Sequence, residues 1–463
     1  GGLVTNGYIQ MGYSSECPYT MVLVSNGNVY VSGGTSASLE IGSGTGGTLS
    51  TAIVTGVNAV FSAGNNNIIV GKGGAANNNV MLIDNGALVT NVASMIIGYA
   101  TSPGAFNNTL IITNGGRLYS SGGSISWYGP NYSNTIVVTG TNSIWSIGGG
   151  VLYLGGGGAG SPTNNTLIVA NNGTVTNLGQ LLMQSSLGSV IVTNGGRLAS
   201  TGTARLGNNY PSNIVTVTGI GSGWSLASGD LAIGAAGVIS NTLSIDQGGV
   251  VDNINTLTVG SNNNVNLSGG TLGMANAIFS NGLFMVGDGV QTAAVKALGG
   301  TCIFTNGLFV NSNGTLRGTG TISGGAIGAT ITNGAILAPG ISGPNTMTIG
   351  GSNLTWYGGG ILHCEITNAA LGSGSGWDLL NVATQLLFNG GTPNWEIRLD
   401  TMGAAIANFS SNADYNLRII SCPDIQGFDM SKFTVTTNAV ATPFFGTWGV
   451  TNIGTNIYVT YRA

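Results

Sequence analysis

The sequence predicts an all-β protein, a right-handed parallel β-helix (β-solenoid) with a β-rich C-terminal cap. Three features carry that expectation: a phrase recurring about every 25 residues, an apolar alternation of period two inside it, and a composition almost free of charge. The phrase is two alternating apolar residues, a Thr or Ser, Asn-Gly or Gly-Gly, and a further apolar residue. It reads Val22-Leu23-Val24-Ser25-Asn26-Gly27, Leu82-Ile83-Asp84-Asn85-Gly86, Ile111-Ile112-Thr113-Asn114-Gly115-Gly116-Arg117-Leu118, Ile168-Val169-Ala170-Asn171-Asn172-Gly173 and Ile191-Val192-Thr193-Asn194-Gly195-Gly196-Arg197-Leu198. A sister phrase alternates with it, ending in Val60-Phe61-Ser62, Ile144-Trp145-Ser146 and Gly223-Trp224-Ser225.

The last apolar residue before each turn falls at 24, 54, 83, 112, 138, 169, 192, 217, 245 and 267, in steps of 22 to 31. The sister phrase recurs at 54, 138 and 217, so three coils form a higher-order unit, itself repeated three times. Within the phrase, Leu110 and Ile112, Ile136 and Val138, Leu167 and Val169, Val190 and Val192 sit two apart. That spacing predicts strands with these residues inward and Thr109, Ile111 and Ser244 outward. A second strand precedes the phrase and ends on an apolar-Gly step, as in Ile97-Gly98, Leu154-Gly155, Leu206-Gly207 and Ile233-Gly234.

Strands this short cannot bury an apolar face alone, whereas coils stacked at about 4.8 Å can. Asn-Gly supplies the left-handed corners. Stacking then aligns Asn26, Asn85, Asn114, Asn172 and Asn194, which predicts a hydrogen-bonded asparagine ladder. A β-propeller is the rival, but its blades take about 40 residues and four strands, more than one phrase provides.

Only 5% of the 463 residues are charged, while 42% are hydrophobic and 82 are Gly. Disordered chains have the opposite balance. Ten scattered basic residues and a net charge of −4 exclude nucleic acid as a partner, since phosphate neutralisation needs clustered Lys and Arg. No apolar run approaches the roughly 18 residues of a membrane-spanning helix. The chain begins Gly1-Gly2-Leu3-Val4 without a charged-then-apolar leader, so a signal peptide is read as absent from it. Four cysteines are too few for a disulfide framework. Buried thiols are expected for them, with a Cys364–Cys422 disulfide as the alternative.

The phrase reading covers 1–300 as β-solenoid coils, 301–360 as coils with different wording, and 361–463 as a β-rich cap or assembly domain. In the middle segment, Asn313-Gly314-Thr315-Leu316-Arg317-Gly318-Thr319-Gly320-Thr321-Ile322 is followed by Ile331-Thr332-Asn333-Gly334-Ala335-Ile336-Leu337-Ala338-Pro339-Gly340. These runs resemble the passenger-associated repeat of bacterial autotransporters. Met347-Thr348-Ile349, Leu362-His363-Cys364-Glu365-Ile366 and Trp377-Asp378-Leu379-Leu380 resemble the strands that come after it in autotransporter-associated β-strand repeat proteins. The resemblance implies a right-handed β-helix exported to the cell surface or released outside. It departs from the autotransporter pattern after Gly340, where a membrane barrel of about a dozen strands is not legible.

Parallel β-helices can carry polysaccharide lyase or hydrolase sites, which need carboxylates on adjacent coils of one face. Before residue 230 the acids are Glu16, Glu40 and Asp84, all in separate coils. Asp230, Asp246 and Asp252 come closest to a cluster. Asp84 and Asp246 hold the turn position where Thr stands elsewhere, which predicts a local backbone hydrogen bond. His363, beside Cys364 and Glu365, lies in a strand whose neighbours face opposite ways. No catalytic residue, metal or cofactor site is therefore expected. Arg117 and Arg197 share one position three coils apart and form a solvated face. Trp145, Trp224 and Phe61 form either a core packing stack or a carbohydrate-stacking platform. The sequons at Asn107 and Asn164 fall within chance.

These observations predict an extracellular structural protein, a matrix or filament subunit that self-associates head to tail. An adhesin binding extracellular glycans is the alternative.

Overall fold

The recurring phrase forms a strand with alternate residues buried, stacked in register on the next copy. The computed structural model describes residues 3–13, 17–31, 37–100, 103–156, 160–234 and 237–463. In it Thr109–Ile112 pairs in parallel with Thr135–Thr139, and that strand with Thr166–Ala170. Leu110, Ile136 and Leu167 make one buried column; Ile112, Val138 and Val169 make the next. The architecture is a parallel β-solenoid, as the period-two pattern requires.

Each coil in this region carries three strands rather than two. After the Asn-Gly corner a second strand runs outward-inward in turn, as in Arg117–Ser120 and Arg197–Ser200. A third, such as Gly123–Trp127 or Val151–Gly156, leads to the loop that enters the next coil. The second strand is four residues long in both examples, too short for its own alternation to show in the sequence. Asn26, Asn85, Asn114, Asn172 and Asn194 occupy the corners in the left-handed region, with φ between 47° and 64°.

Those corner asparagines do not make the predicted ladder. All five are exposed, and the amide of Asn194 donates to Asn171 Oδ1, outside this set, at 3.4 Å. Their stacking runs instead through backbone bonds such as Asn172 N–H to Asn194 O at 3.1 Å. The ladder forms one loop earlier in the coil, at the asparagine that immediately precedes the phrase strand. Asn79 donates from its backbone N and Nδ2 to Asn108 Oδ1 at 3.1 and 2.9 Å. Asn108 donates likewise to Asn134 Oδ1 at 3.0 Å from each nitrogen. The pattern resumes from Asn213 to Asn241, at 3.0 and 3.1 Å, and from Asn241 to Asn263, at 2.9 Å twice. All six are buried.

An amide suits this place because it donates and accepts at once, so each member satisfies its neighbours without charge. The ladder also explains the apolar-Gly step. A Cβ at Gly71 would collide with Asn108, and one at Gly98 with Asn134; both glycines have positive φ, 76° and 81°.

The chain divides into two compact units, Gly1–Asn255 with Val259–Val265, and Thr256–Thr258 with Asn266–Ala463. The division lies ahead of the change in wording at 301. In the second unit Gly270–Phe279, Ala293–Phe304 and Gly314–Ser323 are long parallel neighbours. Phe279, Phe284 and Phe304 pack there with ring centroids 4.5 to 5.0 Å apart. The C-terminal part is β-rich. Its last strand, Asn456–Arg462, pairs antiparallel with both Thr447–Ile453 and Tyr415–Ser421. Among the described residues, no helix is long and apolar enough to cross a membrane.

Candidate functional site

Third strands normally point alternate residues inward, and Ile97 and Ile125 are buried accordingly. The next residue in each strand breaks the alternation: Gly98 and Ser126 adopt φ of 81° and 69°. A left-handed residue re-aims the side chain after it, and Tyr99 and Trp127 emerge part-exposed, side by side in register. Both pack on the cluster of Ala37, Ile69 and Ile96.

Tyr128 and Tyr153 complete the group. Trp127 meets Tyr128 at 5.8 Å and Tyr153 at 5.2 Å, both edge to face, and Tyr99 meets Tyr128 at 5.5 Å. Together they wall a groove of about 420 Å³, with Asn67 and Ser94 as polar members and Ile96 and Gly123 among the rest. None of its lining residues is charged. Ser124, between Ile96 and Tyr153 in the same column, is buried, and its Oγ has no partner among the described residues.

Aromatic faces are electron-rich and apolar. The C–H face of a pyranose is apolar and weakly positive, so the two pack, while amide and hydroxyl groups bond the sugar's hydroxyls. A few polar groups among apolar walls is the usual make-up of a small-molecule site.

No protein-family model matches the chain, and no curated protein matches it. Among solved structures, it is similar to a TibC-catalysed hyper-glycosylated TibA fragment. That likeness has a TM-score of 0.26 at 12% identity, over 96% of this chain and 100% of the other.

The structure puts the residues singled out from sequence in other surroundings. Trp145 and Trp224 are fully buried and Phe61 nearly so, so these rings are core, not a platform. Their shared column explains why: Trp145 lies in register between Leu118 and Val175, and Trp224 between Leu198 and Val251. Trp145 Nε1 donates to Ser120 Oγ at 2.9 Å and Trp224 Nε1 to Ser200 Oγ at 3.3 Å. Each serine closes the preceding coil's second strand.

Arg117 and Arg197 are exposed and share a column, linked through Ile144 and Thr174. Arg197 alone lines a groove, of about 450 Å³, which opens where Gly223 stands in that column and which also contains Asp252. Asp246, Asp252 and Asp230 lie on a first strand, on a second strand, and just before a third, so the coil spreads them over different faces. Asp84 and Asp246 lack the expected bond: the Oδ1 of each is buried without a partner among the described residues. Glu16 lies outside the described residues.

Cys302, Cys364 and Cys422 are buried free thiols, and Cys17 is free and exposed. The alternative Cys364–Cys422 disulfide does not form. Cys364 belongs to a strand paired with Trp395–Asp400, whereas Cys422 comes just after a strand paired with Leu379–Val382. His363 Nε2 faces Asp400 Oδ2 at 3.2 Å, while Cys364 points into the core.

The aromatic group was missed because it is scattered over three coils. Its one sequence signal is an aromatic residue directly after the apolar-Gly or apolar-Ser step, as in Ile97-Gly98-Tyr99 and Ile125-Ser126-Trp127.

Two buried acids stand apart from the groove. Burial alone would raise the Glu40 carboxyl, but Lys72, Ser43 and Tyr8 bonded to it hold it below its ordinary value. Burial pushes Asp378 up to about 8, although Asn345 N–H and Glu365 N–H donate to its two oxygens at 2.7 and 2.8 Å.

Proposed function

We propose that this chain is a non-enzymatic, extracellular or cell-surface β-solenoid of adhesin type that binds an uncharged saccharide in the groove of Tyr99, Trp127, Tyr128 and Tyr153. The observation that carries the reading is the set of four converging rings with no charged residue among them. An acidic glycan would call for Lys or Arg in the lining. The surface location is supported by the likeness of 313–340 to the autotransporter passenger-associated repeat.

A glycan array with the full chain tests it. Binding to neutral glycans is expected, reduced at least tenfold by Trp127→Ala or Tyr128→Ala. Retention of binding in both variants, or exclusive binding of sulfated and uronic glycans, overturns it. Trp145→Ala is the contrasting substitution, lowering stability through the core by about 4 kcal/mol.

A structural role in a surface layer or fibre is the second reading, favoured by the scarcity of charge along the first unit. Electron microscopy of the purified chain tests it, and isolated particles at every concentration would sink it.

A further inference from the structure

Nine first strands of the first unit, from Met21–Ser25 to Thr242–Asp246, pair side by side as successive members of one sheet. Their inward residues make the core, and their outward residues make an unusual surface. Down its centre runs an aliphatic column in register: Ile53, Leu82, Ile111, Val137, Ile168 and Ile191. All six are part-exposed. Thr flanks the column on both sides in several coils, as Thr135 and Thr139 do beside Val137. Within these nine strands the charged residues are Asp84 and Asp246, both at one margin.

We propose that this face is where a second copy of the chain docks, sheet against sheet. The inference stands independently of the saccharide reading, which concerns the third strands.

Area supports a protein partner of this size. Nine strands at about 4.8 Å and five residues at about 3.3 Å span about 43 by 17 Å. That is about 700 Å² per copy, close to the roughly 800 Å² per partner of a standard interface. Self-complementarity supports a second copy in particular. A column of aliphatic side chains bordered by Thr on both sides offers the same pattern to its own image. With Asp84 and Asp246 confined to one margin, pairing desolvates no ion along the central column. Sheets packed in this way sit about 10 Å apart with side chains interleaved. A contact using the same patch on both partners is isologous and closes at the dimer, unlike a head-to-tail fibre.

Sedimentation velocity of the full chain over a concentration series tests the proposal. A reversible monomer–dimer equilibrium is expected, weakened at least tenfold by Ile111→Lys combined with Ile168→Lys. Val137→Lys alone is the second variant should the double one not fold, with circular dichroism checking the fold of each. Arg117→Ala, on the second strands, should leave the dimer intact. A wild-type chain that stays monomeric up to millimolar concentration overturns the proposal. So does a dimer or larger species that a folded lysine variant leaves unchanged.

Discussion

The first and second units each leave some buried polar atoms without partners, but they surround their most deeply buried acids, Glu40 and Asp378, in opposite ways, and the difference shows what sets the sign of a buried acid's effect. In the first unit the buried polar positions are mostly amides and hydroxyls, and each ladder asparagine answers its neighbours. Its one deeply buried acid, Glu40, has Lys72, Ser43, Tyr8 and Gln10 around it. In the second unit Asp378 accepts only from two backbone N–H groups, with the Glu365 carboxylate adding repulsion and Arg317 partly offsetting it. Glu365 Oε2 and Arg317 Nε are buried without partners among the described residues. A carboxylate can only accept, so it depends on donors the fold must supply; an amide supplies half of its own.

The largest effect that tests this contrast is expected from Asn108→Ala. It removes the acceptor for two Asn79 nitrogens and the Nδ2 donor to Ala76 O and Asn134 Oδ1, which keep only the backbone N–H groups of Phe106 and of residue 108. A loss of about 3 kcal/mol is expected in urea unfolding, since four bonds of one buried network go together and the backbone N–H of Asn79 loses its acceptor. A loss under about 1 kcal/mol would remove the ladder from the account of the first unit.

The second test is pH. For Asp378 the folded-state value is raised to about 8 from an ordinary 3.8, so the folded state holds a proton that the unfolded state has released. Its stabilising effect is therefore full below the unfolded value and is lost as pH rises towards 8. Glu40 is depressed, so its contribution is present above its ordinary value of 4.5 and fades as pH falls through the folded value. Hydrogen exchange by mass spectrometry should show the second unit more protected at pH 5 than at pH 8, and the first unit losing protection in stronger acid. Asp378→Asn should flatten the response of the second unit between those two pH values and leave that of the first unchanged. An unchanged slope in that variant would break the comparison at its acidic partner.

The smallest effect sharpens it from the other side. Asn114→Gly changes an exposed corner that already has φ of 47°, which glycine adopts freely. A shift within about 0.5 kcal/mol is expected, against the much larger cost at Asn108 only six positions earlier in the chain. Differential scanning fluorimetry on the pair measures this directly.

The strands, their inward columns and the left-handed corners are set by the local pattern of the chain. A period of two and an Asn-Gly turn arise from local backbone sterics and from which side chains water rejects. The same pattern places Arg117 and Arg197 in one column, because the coils between them keep register. The second strand of each coil, the buried asparagines and the outward turn of Trp127 depend instead on what lies above and below. Asn108 and Asn114 are the same residue type in neighbouring positions, and only stacking buries one beside Gly71 while leaving the other in water. Trp145 and Trp127 differ in the same way: one keeps to the alternation and enters the core, and the other comes after a left-handed serine that reverses it. These cases turn on tertiary structure because burial and bonding belong to the contact between coils, which no single phrase contains.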